Sequence, residues 1–248
     1  MKEKIIAAAL IVCAALCSCS QQESSKQEYY QIVTDPTTEP PTEPSGAAKY
    51  VKTAKEETFE ATEKSGAKEK TQYKIPMLTP GSDSAKKINS EIIKTYEKDF
   101  ENAQSAVDNG KTPEISSISY ESYLNDIVLT VIITRTSADH TVDYSVYNYN
   151  VEKNVQFDNN GIARYMKRDA SEINRAVYNA LESDYVSKFK YDNFKDDYYI
   201  NYEKTLSSEN IENSSLFFDG AGNFCAICRE FASVGKGEFN VIIKITLE

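Results

Sequence analysis

Ile127-Val128-Leu129-Thr130-Val131-Ile132-Ile133 is almost continuously apolar. A strand with one wet face alternates apolar and polar residues, whereas an unbroken β-branched run suits a central strand covered on both faces. The strand is read over residues 126–136, with neighbours over 114–123 and 141–157. Leu124-Asn125-Asp126 and Ser137-Ala138-Asp139 give tight connections between them. In the third strand Tyr144, Val146 and Asn148 alternate with Ser145, Tyr147 and Tyr149, giving one mixed and one aromatic face. Asp158-Asn159-Asn160-Gly161 then reads as a turn. Upstream, residues 50–61 and 68–78 form two strands around Lys64-Ser65-Gly66. Downstream, residues 214–218 and 223–231 flank Asp219-Gly220-Ala221-Gly222, a hairpin signal, and 238–247 closes the chain as an alternating strand.

Two helices complete the pattern. Ser82-Asp83-Ser84 offers N-caps, and Asn109-Gly110 offers a stop. Between them Ile88, Ile92, Ile93, Tyr96, Phe100, Ala103 and Val107 recur at helical spacing. A second helix runs from Asp169 or Ser171 to Phe189 on Ile173, Val177, Leu181, Tyr185 and Phe189. Residues 191–202 are aromatic and acidic and take no firm assignment. The predicted fold class is α+β, with antiparallel sheets packed against two main helices.

The N-terminus has a short basic head, an apolar run over residues 5–16, and then Leu16-Cys17-Ser18-Cys19. Head and run make a secretory signal over residues 1–18, and the run is too short to cross a bilayer, which takes about 20 residues. The last four residues are similar to a bacterial lipobox, which implies cleavage before Cys19 and diacylglycerol on its sulfur. Two acyl chains hold a protein stably where one does not. Residues 19–48, with Pro36, Pro40, Pro41 and Pro44 among Thr and Glu, read as an extended tether. The expected location is the cell membrane, lipid-anchored on its extracytoplasmic side.

The chain has 28 basic and 38 acidic side chains. Loss of residues 1–18 removes Lys2, Lys4 and Glu3, leaving 26 against 37 and a net charge of −11. Such a field repels nucleic acid and attracts a cationic protein. Two cysteines lie beyond the signal region, Cys225 and Cys228, in a strand. Residues three apart on a strand face opposite ways, which predicts two separate thiols rather than a disulfide or a shared metal site.

Several stretches carry a family resemblance. They are Tyr73-Lys74-Ile75-Pro76-Met77-Leu78, Ala85-Lys86-Lys87-Ile88-Asn89, Tyr144-Ser145-Val146-Tyr147-Asn148-Tyr149-Asn150 and Leu216-Phe217-Phe218-Asp219. Together they resemble the extracytoplasmic domain shared by RsiV-type lysozyme-sensing anti-sigma factors and PdaC-type peptidoglycan deacetylases. The resemblance covers residues 49–248 and implies a PdaC-like part over 49–160 and an RsiV C-terminal-like part over 161–248, packed together. The sensors' sigma-binding segment and membrane span, and the deacetylases' catalytic domain, have no counterpart in this sequence. Where the sensors tend to carry Ala-Pro-Tyr before a Gly, this chain reads Phe231-Ala232-Ser233-Val234-Gly235-Lys236-Gly237. The resemblance makes Phe231, Ser233, Gly235 and Gly237 candidates for ligand contact.

Catalytic patterns are sparse. The chain has one histidine, His140, beside Asp139 in a turn. A metal hydrolase needs a cluster of such ligands, and neither a nucleophile elbow nor a phosphate loop is present. Nothing calls for a cofactor or a metal. Asp196-Asp197 and Glu182/Asp184 are carboxylate pairs of the kind glycosidases use. The expected function is a non-enzymatic cell-surface binding module for a cationic muramidase such as lysozyme, or for peptidoglycan. A carboxylate-dependent wall-glycan hydrolase and an accessory subunit of an envelope complex are the alternatives.

Overall fold

A computed structural model describes residues 46–62, 68–189, 195–232 and 237–247. Nine strands and five helices follow in order: β1 Val51–Thr62, β2 Lys68–Leu78, α1 Asp83–Asp108, β3 Ile115–Asn125, β4 Val128–Ser137, β5 Val142–Asn150, β6 Val155–Phe157, α2 Asn159–Tyr165, α3 Ala170–Phe189, α4 Lys195–Thr205, α5 Ser208–Glu212, β7 Ser215–Phe218, β8 Phe224–Phe231 and β9 Glu238–Lys244. They form a six-stranded sheet, β1-β2-β3-β4-β5-β6, and a three-stranded sheet, β7-β8-β9. Both are antiparallel except for a short parallel pairing of β2 with β3, the two strands that α1 joins. The class is α+β. The loop carrying Lys64-Ser65-Gly66 lies outside the described residues.

β4 is central and buried on both faces. Leu129, Val131 and Ile133 join Tyr147 and Tyr149 of β5 beneath α1, which contributes Ile88, Ile92, Tyr96 and Phe100. Phe59, Tyr73 and Phe100 pack ring against ring at 5.0 to 6.3 Å in this layer. Ile132 faces the other way and meets Phe217, Cys225 and Ile227 of the small sheet, with Tyr123, Tyr144 and Val146 around them. The far face of the small sheet packs on α3 through Ile173, Val177 and Leu181. The layers are therefore helix, sheet, sheet, helix.

Polar pins fix these layers. Ser82 caps α1, its Oγ accepting from the Ala85 amide at 3.1 Å. Asn89 bonds both backbone groups of Leu78, at 2.7 and 2.9 Å, and ties α1 to the end of β2. Arg135 donates two hydrogen bonds to Asp99 of α1, at 2.9 and 3.0 Å. Between the sheets, Asn148 of β5 accepts from Thr130 at 2.8 Å and donates to the Leu216 carbonyl of β7 at 2.7 Å. The β7–β8 turn docks on the first sheet as well. Asn125 donates to the Asp219 carbonyl at 3.1 Å, and a Cβ on Gly220 would stand 2.8 Å from the Tyr123 ring.

Three local readings need correction, and one stretch left unassigned by the sequence takes a definite form. Ile93 is 47% exposed, because the face of α1 that meets the sheet runs through Ile88, Ile92 and Tyr96. The strand expected over 141–157 breaks at Asn154, which takes a positive φ of 56°, so β5 and β6 are separate. Asp158-Asn159-Asn160-Gly161 starts α2: Asp158 is its N-cap and accepts from the Gly161 amide at 2.7 Å. Residues 195–205 form α4.

Asn148 is 5% exposed, so a leucine there leaves the Leu216 carbonyl and the Thr130 hydroxyl without partners. Asn148→Leu should cost about 1–3 kcal/mol in urea unfolding. An unchanged midpoint would mean that the sheets are held by apolar contact alone.

Candidate functional site

The hairpin end of β8 and β9 carries the predicted ligand loop. Phe231 is half-buried, and its amide donates to Thr205 Oγ1 of α4 at 3.0 Å. Gly237 has a φ of 84°, and its carbonyl accepts from the Ala232 amide at 3.0 Å, which closes the hairpin. Ser233 and Gly235 lie outside the described residues. The structure thus brings Phe231 and Gly237 together at one end of the small sheet.

α4 forms the wall beside this end. Its inner side lays Tyr198 and Tyr202 against Tyr185, Phe189, Ala232 and Phe239. Tyr198 and Tyr202 stack with centroids 6.0 Å apart, and Tyr185 packs on both at 5.5 and 5.8 Å. Tyr202 also donates a short hydrogen bond to Glu182 of α3. That bond, followed by burial, pushes the phenol far above its ordinary range. On its outer side α4 shows Tyr199, 63% exposed, and Ile200, 52% exposed, with the carboxylates Asp197 and Glu203 also exposed. Large apolar side chains set among carboxylates at a helix surface are suited to docking.

A buried ionic cluster lies behind the wall. Glu230 of β8 is fully buried. Lys188 of α3 donates to Glu230 Oε2 at 3.1 Å and to Asp184 Oδ2 at 2.6 Å. Glu230 Oε1 has no hydrogen-bond partner among the described residues. Burial pushes the Glu230 carboxyl up to about 8; Lys188 opposes the rise and the Asp184 charge adds to it. Burial thus favours the protonated acid inside the sheet–helix layer.

The Glu182/Asp184 pair of the sequence comes apart. Glu182 bonds Tyr202, and Asp184 bonds Lys188. Asp197 is exposed on α4, and the Asp196 side chain lies outside the described residues. Asp184 instead meets Glu230 across the Lys188 ammonium, 46 residues further along the chain. The sequence signal for Glu230 was its parity: Phe224, Ala226 and Cys228 precede it on the inward face. His140 sits at a positive φ of 66° in the β4–β5 turn. Among the described residues no group of three His, Cys, Asp or Glu could hold a metal. Cys225 faces the large sheet and Cys228 faces α3, so the two free thiols are separate, as expected. Burial pushes them up to about 11 and about 12, which keeps them protonated and poor nucleophiles near neutrality.

Fold and site together define an α+β domain with a tyrosine-built, carboxylate-flanked wall at one end. No family model matches the chain, and no curated protein sequence matches it. A solved structure, that of a member of the DUF3298 family from Bacteroides fragilis, is similar at 10% identity, over 79% of this chain and 89% of that one, with a TM-score of 0.36. Likeness at that level does not extend to individual residues or to a site.

A raised carboxyl has a definite sign. The protonated Glu230 supports the fold fully below its ordinary value of 4.5, and that support is lost as pH rises to about 8. Glu230→Gln stays neutral throughout. Urea midpoints should therefore favour the variant over the parent increasingly between those pH values, by at most about 1.4 kcal/mol per pH unit. A gap that stays flat, or moves toward the parent, would contradict a neutral Glu230.

Proposed function

We propose that the chain is a lipid-anchored cell-surface binding module, whose α4 wall receives a cationic muramidase such as lysozyme, or cell-wall glycan. The observation that carries this reading is the exposed Tyr199–Ile200 pair with Asp197 and Glu203, beside the hairpin end at Phe231 and Gly237. Aromatic and aliphatic anchors supply contact area, and the carboxylates with the net charge of −11 draw in a basic partner. The resemblance to the lysozyme-sensing domain supports the same choice of partner. Cys19 is the proposed point of attachment, facing the extracytoplasmic side. Among the described residues no helix is long and apolar enough to cross a membrane.

The hydrolase alternative is weakened by burial. Asp184 and Glu230 share the Lys188 ammonium, yet Glu230 has no exposed surface. A general acid must reach the leaving oxygen within hydrogen-bond distance, so a buried one does not serve. An accessory role in an envelope complex would use the same wall on a different partner.

Calorimetry of the detergent-solubilised chain with hen lysozyme at physiological salt tests the partner. Heat of binding is expected, and Tyr199→Ser with Ile200→Ser should weaken it by at least about tenfold, the loss of one small hot spot. No heat from the parent would remove lysozyme and move the search to wall glycan. Anchoring has its own test: Cys19→Ala should release the protein from the membrane fraction, and full retention would show that something else holds it.

A further inference from the structure

The exposed borders of the two sheets are not treated alike. β1 is lined with Lys52, Lys55, Glu56, Glu57 and Glu60, side chains that discourage pairing with another strand. β6 has three residues. β7 turns the amide and carbonyl of Leu216 away from β8, and side-chain amides occupy both: Asn159 Oδ1 accepts from the amide at 3.2 Å, and Asn148 donates to the carbonyl at 2.7 Å. Where β8 outruns β7, Asn210 bonds both backbone groups of Arg229 and Thr205 takes the Phe231 amide.

The outward backbone of Ile242 and Lys244 in β9 has no such cover among the described residues. The Ile245 amide donates to the Phe224 carbonyl at 2.8 Å, and the Gly237 carbonyl accepts from Ala232 at 3.0 Å. Odd-numbered residues of β9 therefore point their backbone groups at β8, and even-numbered ones point them outward. The outward groups of Ile242 and Lys244 have no hydrogen-bond partner among the described residues. The Ile242 side chain is 48% exposed. Beside this edge α3 presents Ala176, Asn179, Ala180 and Ser183, short side chains that leave a groove of 560 Å³ between helix and strand. Arg168, Glu172, Arg175, Asp184 and Lys244 also line it. Arg168 pairs with Glu172, and Asp184 with Lys188. Arg175 and Lys244 make no ion pair among the described residues, and the lining's three cations against two carboxylates leave one positive charge in excess on a strongly acidic protein.

We infer that the groove between α3 and β9 is a second docking site, which takes an extended, carboxylate-bearing segment of a partner protein as a fourth strand on the β7-β8-β9 sheet. The backbone of Ile242 and Lys244 supplies the ladder, and Arg175 and Lys244 select for acidic side chains. This site lies at the C-terminal end of β9, from Ile242 onward, away from the hairpin end, and does not depend on lysozyme binding.

The probes are a fluorescent acidic octapeptide of alternating Glu, Val and Thr, its Lys-for-Glu counterpart, and the acidic peptide N-methylated on alternate amides. The full chain should bind the acidic peptide, and the Lys counterpart at least about tenfold more weakly. N-methylation should cost about as much, through lost ladder bonds. Ile242→Pro deletes an outward amide while sparing the β8 ladder, and should weaken binding to a similar degree. Arg175→Glu with Lys244→Glu, at surface positions that leave folding intact, should reverse the preference between the two charged peptides. Tyr199→Ser with Ile200→Ser should leave peptide binding unchanged, which separates this site from the lysozyme wall. Absence of binding, equal binding of the N-methylated peptide, or an unreversed preference in the charge-swapped variant would each overturn the proposal.

Discussion

The fold depends on covering β4 on both faces. Val128, Leu129, Val131 and Ile133 have no exposed surface, and Ile132 has 5%. A strand of that composition has no side to offer water, so the six-stranded sheet needs one partner above and another below. α1 supplies the first, with Ile88 and Ile92 fully buried against the sheet. The small sheet supplies the second, through Phe217, Cys225 and Ile227. Its own outer face is apolar and must in turn be covered, which is the task of α3. Each layer is called for by the one before it, and the sequence of demands ends at the polar outer surface of a helix.

Polar groups within these layers decide geometry more than they add stability. Asn148 satisfies Thr130 and Leu216 in one stroke and sets how the two sheets meet. Asn159, Asn210 and Thr205 hold the backbone edges of β7 and β8 that would otherwise pair with strangers. Glu230 is the exception. It sits fully buried beside Lys188 and Asp184, and burial pushes its carboxyl upward.

Much of this architecture was legible in the residues. α1 and α3 follow from strict helical spacing, β4 from its unbroken apolar run, and the β7–β8 hairpin from its glycines. The failures have physical causes. α4 was hidden because Tyr198 and Tyr202 face inward while Tyr199 and Ile200 face outward, so large side chains mark both sides of the helix and no period emerges. Asp158-Asn159-Asn160-Gly161 suits a turn and a helix start equally, and only its neighbours decide. The break after β5 was marked by Asn154, a residue that tolerates positive φ. The Lys188–Glu230 contact and the asparagine caps on Arg229 and Leu216 join residues 19 to 68 positions apart, a distance at which periodicity carries no information. Of the predicted ligand loop, the placement of Phe231 and Gly237 beside an exposed aromatic wall emerged only with the fold.

We propose that this end of the molecule, α4 with the β8–β9 hairpin, docks a basic protein. Amide hydrogen exchange on the full chain, with and without hen lysozyme, decides the matter. Slowed exchange is expected across 195–205 and 231–238 on addition of lysozyme, with the amides of α1 unchanged. Protection confined to other elements, or none at all, would contradict it.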